Sequence, residues 1–140
     1  MNATLLLRVA SVLALIQFGA HSALFLRATP RHGPDEVAVI EAMKNHQFDF
    51  MGNMRSYWDF YFGYGLEAAV ICLVEAVLFW QLATIARTSP AEVRPIVALF
   101  FAFNVGHAAL MMRYFFLTPM VPDVLIAICL AAAFVAAGRQ

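Results

Sequence analysis

Charge is scarce in this chain: Asp, Glu, Lys and Arg make up only 13% of its 140 residues. A soluble domain carries about twice that share, so there is too little charge here to coat a folded body in water. The formal net charge is zero, which argues against nucleic acid as a partner. Only two cysteines are present, Cys72 and Cys129; both lie in apolar runs without CxxC spacing and read as free core thiols. No phosphate loop, nucleophile elbow or zinc motif occurs, and no metal or other cofactor is expected. Period-two alternation is also missing, which excludes the pattern of a membrane β-barrel.

Hydrophobic residues, by contrast, reach 63%. They concentrate in four runs, each long enough to cross a hydrocarbon core of about 30 Å. The spans are expected at about 3–26, 57–86, 93–117 and 120–137, with an extramembrane loop over about 27–56. The expected fold is therefore all-α, a four-helix transmembrane bundle forming a single membrane domain over 1–140. Lipid offers backbone polar groups no partner except their own helix or a closed barrel. The first run reads as a retained span and not a signal peptide: no Lys or Arg precedes it, and Arg8 lies inside it.

The connections differ. RTSPAEVRP turns through Ser89-Pro90, which suits a restarting helix. TPMVP, around residues 118–122, reads as a tight hinge between antiparallel neighbours. In the long loop, Pro34-Asp35-Glu36 suits a helix N-terminus, and Val37, Ile40 and Met43 or Lys44 follow at the spacing of a short amphipathic helix. Phe48, Phe50 and Met51 then lead the chain back to the bilayer. Arg8, Arg87, Arg94 and Arg139 gather on the side of the termini with Glu92 as the only acid, which favours both termini in the cytoplasm of a bacterial inner-membrane protein.

An ionisable group inside a span costs about 2.5–3.5 kcal/mol at the bilayer centre, so each one asks for a function or a partner. By helical rise, Glu67 lies about 15 Å in from Tyr57 and His107 about 15 Å below Leu117, with His21 about 8 Å below its span end. Gln17 and His21 share a helix face, as do Asn104 and His107, while Phe60, Gly63, Glu67, Ile71 and Val74 form one stripe. Gln17, His21, Glu67, Asn104 and His107 are thus expected to converge on one polar pocket. Ala10 with Ala14, and Ala68 with Cys72 and Ala76, would let helices approach closely. Arg55, Asp59, Arg113 and Asp123 are expected to form an ion network at the mouth, with Tyr57, Trp58, Tyr61 and Tyr64 as an aromatic belt. Gly63 and Gly65 either admit a close helix or leave room for a ligand. A haem held by His21 and His107 fits poorly, since their depths differ by about 7 Å; a colourless protein is expected.

The stretches RSYWDFYFGYGLEAAV, EAVLFWQLATIAR and RPIVALFFAFN resemble those of small, mostly uncharacterised bacterial four-helix membrane proteins. The plan is similar to DoxX-like proteins and, more remotely, to the sterol-isomerase and sigma-2 receptor superfamily. That resemblance implies a mid-membrane pocket for hydrophobic amines or sterols, with Glu67 and Asp59 as counterparts of its acids. Three functional readings stand. One is a pocket for a small hydrophobic molecule such as a lipid, quinone or sterol-like compound. Another is a lipid isomerase-type enzyme in which Glu67 and His107 move protons. The third is a structural or homo-oligomer-forming subunit without a ligand.

Overall fold

A computed structural model describes residues 2–27 and 29–139. The elements run α1 (Ala3–Arg27), α2 (Pro34–Asn45), β1 (Gln47–Phe50), β2 (Asn53–Ser56), α3 (Tyr57–Ile85), α4 (Pro90–Tyr114) and α5 (Leu117–Ala137). The fold is all-α but for one hairpin, and α1, α3, α4 and α5 are each long and apolar enough to cross a membrane.

Residues group into two compact units: those up to Phe18 with those from Ile71 onward, and Gly19–Val70. In the first unit, Leu7, Ala10 and Ala14 of α1 meet Ala76, Phe79 and Ala83 of α3, Val93 and Val97 of α4, and Ile126, Leu130 and Ala133 of α5. Small residues dominate because the attraction between apolar helices in lipid comes from close packing and not from escape from water. Ala10, Ala14, Cys72 and Ala76 are all buried, as their spacing suggested, and both cysteines are free thiols. Ser11 Oγ donates to the Ala76 carbonyl at 2.6 Å, a bond that requires the two helices to lie close together.

The helix α4 opens with Ser89 as its cap and Pro90 in its first turn, earlier than the expected residue 93. The break before α5 also differs from expectation. It falls at Phe115-Phe116, and Pro119 and Pro122 lie inside α5. Pro119 falls in the first turn, where its missing N–H has no helical partner to lose, and Pro122 one turn on forgoes only the bond to the Thr118 carbonyl, so TPMVP begins a helix and makes no hinge.

In the second unit, α2 occupies the expected place behind Gly33 and Pro34. The Glu36 carboxylate reaches back to accept the backbone N–H groups of Arg31 and His32. Those donors, His32 first and Arg31 second, hold its carboxyl below the usual carboxylate range. The hairpin was not expected. Its two-residue turn, Met51-Gly52, has φ of 55° and 83°, the positive values that match the twist of paired strands. Asp49 Oδ1 accepts Gly52 N–H at 2.8 Å across the turn, and Phe50 pairs with Asn53 to close it. Asn-Gly is the ordinary signature of such a turn, and Met-Gly hides it.

The chain then reverses at Ser56 into α3. Ser56 N–H and Oγ–H donate to Asp59 Oδ2 at 2.8 and 3.0 Å, and Ser56 Oγ accepts Asp59 N–H at 3.2 Å. This reciprocal box satisfies two orphan donors of the helix start. Asp59 therefore caps α3.

Gly65 lets α1 approach α3. A Cβ there would collide with the ring of Phe25, while nothing lies within 4 Å of a Cβ at Gly63. His21 Nε2–H donates to the Gly65 carbonyl at 2.8 Å through the same opening. Gly65→Ala is expected to cost about 1–3 kcal/mol by displacing the Phe25 ring. Gly63→Ala should be neutral or stabilising by up to about 1 kcal/mol through helix propensity. Thermal unfolding of both variants in one detergent checks this, and equal melting temperatures would refute the close approach.

Candidate functional site

The polar groups of the first unit sit on four helices. His107 of α4 and Asp123 of α5 lie about 10 and 9 Å along their helices from Tyr114 and Leu117. The short turn between those helices therefore brings them level. His107 Nδ1 stands 2.9 Å from Asp123 Oδ2, and Gln17 Nε2 of α1 donates to Asp123 Oδ1 at 2.8 Å. That contact occupies Nδ1 and leaves Nε2 as the second ring nitrogen of His107, a donor or an acceptor according to the tautomer. The Asp123 side chain is 3% exposed, whereas that of His107 is 32% exposed. The anchor is thus buried and the ring half-open, with Phe103 stacked one turn away at 6.0 Å.

Asn104 lies one turn from His107 on α4 and is 1% exposed. Its Nδ2 donates to Glu75 Oε1 at 2.8 Å and to the Phe100 carbonyl at 3.0 Å, which uses both amide protons and orients the group. Asn104 Oδ1 and Gln17 Oε1 are buried without a partner among the described residues.

Of the residues expected to converge, Gln17, Asn104 and His107 belong to this unit, and Gln17 and His107 meet through Asp123. His21 and Glu67 belong to the other unit. Glu67 is exposed, together with Gly63, Ile71 and Val74 of the stripe expected to face inward. The buried face of α3 instead carries Gly65, Ala69, Cys72, Ala76, Phe79 and Ala83, with Glu75 beside them. A stripe chosen by its acid pointed outward because, with lipid outside, both faces of a helix are apolar and only small residues mark the packed one.

The four residues expected at the mouth divide between the units, Arg55 and Asp59 in one and Arg113 and Asp123 in the other, and each has a partner in its own unit. Asp59 caps α3, Asp123 binds Gln17 and His107, Arg55 Nη1 donates to the Met54 carbonyl at 2.8 Å, and the Arg113 guanidinium lies over the Tyr114 ring. Sequence reasoning left Glu75 outside the pocket, toward Arg8 or Arg94, and assigned Asp123 to the mouth; Glu75 pairs with Asn104 instead. The signal was available: Asp123 precedes Ile126, Ala127 and Leu130 at three, four and seven residues, the spacing of one buried face.

Two grooves open on this unit. One, about 290 Å³, is lined by Phe101, Val105 and Ala108 of α4 with Val124, Ala127 and Ile128 of α5 among others. The other is lined by Leu6, four residues of α5 including Ala131 and Val135, and Arg139. Neither includes Gln17, Asn104 or His107.

No protein-family model matches the chain, and no curated protein or solved structure matches it either. The class of protein therefore rests on the helices themselves: four apolar helices of spanning length make this a multi-span integral membrane protein.

Proposed function

We propose that the protein binds a small hydrophobic molecule with a hydrogen-bonding head, of lipid, quinone or sterol-like kind, at the His107 imidazole. The observation that carries this reading is the contrast within one ion pair: a buried Asp123 holds Nδ1, and a ring one-third open presents Nε2 within a membrane-spanning helix. An unpaired polar atom there is costly unless something meets it, and a carbonyl or hydroxyl head group can. Gln17 supports Asp123 from behind, and Asn104 stands a turn away with an unpaired oxygen. The apolar groove on the same two helices has room for part of a hydrocarbon chain.

A second reading is favoured by the Asn104–Glu75 bond: the polar side chains are interhelical ties and nothing binds. His107→Gln separates the two, because the amide keeps a donor for Asp123 and loses the imidazole. Mass spectrometry of the purified protein identifies co-extracted molecules, and their affinity is then compared. The binding reading expects at least about tenfold weaker binding with little change in melting temperature. Unchanged ligand content in His107→Gln would leave only the ties.

We further propose a bacterial inner-membrane location with both termini cytoplasmic, supported by Arg8, Arg87, Arg94 and Arg139 against Glu92 alone. A reporter fused after Ser89 reads that side directly.

A further inference from the structure

We infer that the β1–β2 hairpin is an interfacial wedge: it runs down beside the first turns of α3 and sets Met51, with Phe50 and Met54, into the head-group and acyl boundary of the bilayer. The direction comes from the order of its aromatic contacts. His46, before the strand, stacks on Tyr57 at 5.9 Å. Phe48 meets Tyr57 at 4.9 Å and Phe60 at 6.1 Å, and Phe50, next to the turn, meets Phe60 at 5.3 Å. Toward the tip the contacts shift from Tyr57, through Tyr57 and Phe60 together, to Phe60. The reversal enforced by the Ser56–Asp59 box makes this possible, since β2 must run back against the direction of α3.

The level of those turns in the bilayer follows from α3 itself. Its 29 residues extend about 43 Å, longer than a hydrocarbon core of about 30 Å, so its first turns stand in the interface. The exposed rings of Tyr57, Tyr61 and Tyr64 are the residue type that occupies that layer. With the belt ending at Tyr64, the exposed Glu67 is one turn below it, close enough to reach water. The hairpin descends into the same layer, where water still satisfies its open strand edges; deeper, those edges would be unpaired in hydrocarbon.

The side chains suit that place. Met51 is 88% exposed, and Met54 and Phe50 are 60% and 49% exposed. Phe48 and Phe50 share the face turned to α3, and Met54, paired with Asp49, alternates to the other. A positive-φ turn is most readily made by Asn or Gly, yet an apolar side chain occupies the first turn position. Nearer the base, Lys44 sits over the Trp58 ring at 4.6 Å and Arg55 is exposed, cations placed at the level of lipid phosphates.

The test uses the full chain in phospholipid vesicles, with Cys72 and Cys129 replaced by Ala and single cysteines introduced as Met51→Cys, Met54→Cys or Asp35→Cys. A water-soluble maleimide is present on both sides of the membrane. Thiols at 51 and 54 are expected to react about tenfold more slowly than at 35, because a thiolate does not form readily at the acyl boundary. In detergent-free vesicles containing brominated lipid, Met51→Trp, made with Trp58→Phe and Trp80→Phe, should show quenching strongest for bromines near the glycerol end of the chain. Reaction at 51 and 54 as fast as at 35, or no quenching at 51, overturns the wedge.

Discussion

Asp123→Ala is expected to lose about 2–3 kcal/mol of stability, because one carboxylate accepts both the Gln17 amide and the His107 imidazole. Each interhelical bond in a membrane is worth less than its gas-phase strength suggests, since the separated helices also find partners. The larger cost is the pair of part-buried donors left without an acceptor on α1 and α4. Asp123→Asn keeps an acceptor for Gln17 and a partner for the ring, and it should recover at least half of the loss. Unfolding in a denaturing detergent titration, followed by circular dichroism, gives both values. An Asp123→Ala protein as stable as the parent would show that the triad ties nothing together.

Asn104→Leu should cost about 1–3 kcal/mol by leaving the Glu75 carboxyl without its donor in a site closed to water. Glu75→Gln preserves the acceptor and is expected to be nearly silent. The informative variant is the double replacement, Glu75→Leu with Asn104→Leu. Removing both partners in favour of apolar groups of similar size is close to neutral, so the double variant should be more stable than Asn104→Leu alone. That non-additivity is the measure of contact between the two side chains. Purely additive losses would place the cost in packing and not in the hydrogen bond.

Much of the fold was legible before any coordinates. Four apolar runs against so little charge leave room for hardly anything except spanning helices, and Pro34 and Pro90 announce two helix starts because proline fits a first turn. The small residues of α1 and α3 also spoke truly, since close packing in lipid needs them whatever the partner. The hairpin did not show: its strands are four residues each, and its turn uses Met where Asn would have signalled it. The capping role of Asp59 was hidden in another way. Its neighbours in sequence include arginine, but the box with Ser56 is a local backbone matter and needs no opposite charge.

The choice of polar partners lay beyond the sequence. Gln17, Glu67, Glu75, Asn104, His107 and Asp123 all appear in apolar runs, and any of them could have paired at the right depth. Composition and run length decide the number and length of the helices, because the bilayer imposes both through its thickness and its lack of hydrogen-bonding groups. They do not decide rotation about each helix axis, because lipid and packed helix are equally apolar surroundings and no face is driven inward by water. Rotation is settled where small residues allow contact within hydrogen-bond reach, and there Glu75 faces Asn104 at 2.8 Å while Glu67 faces outward.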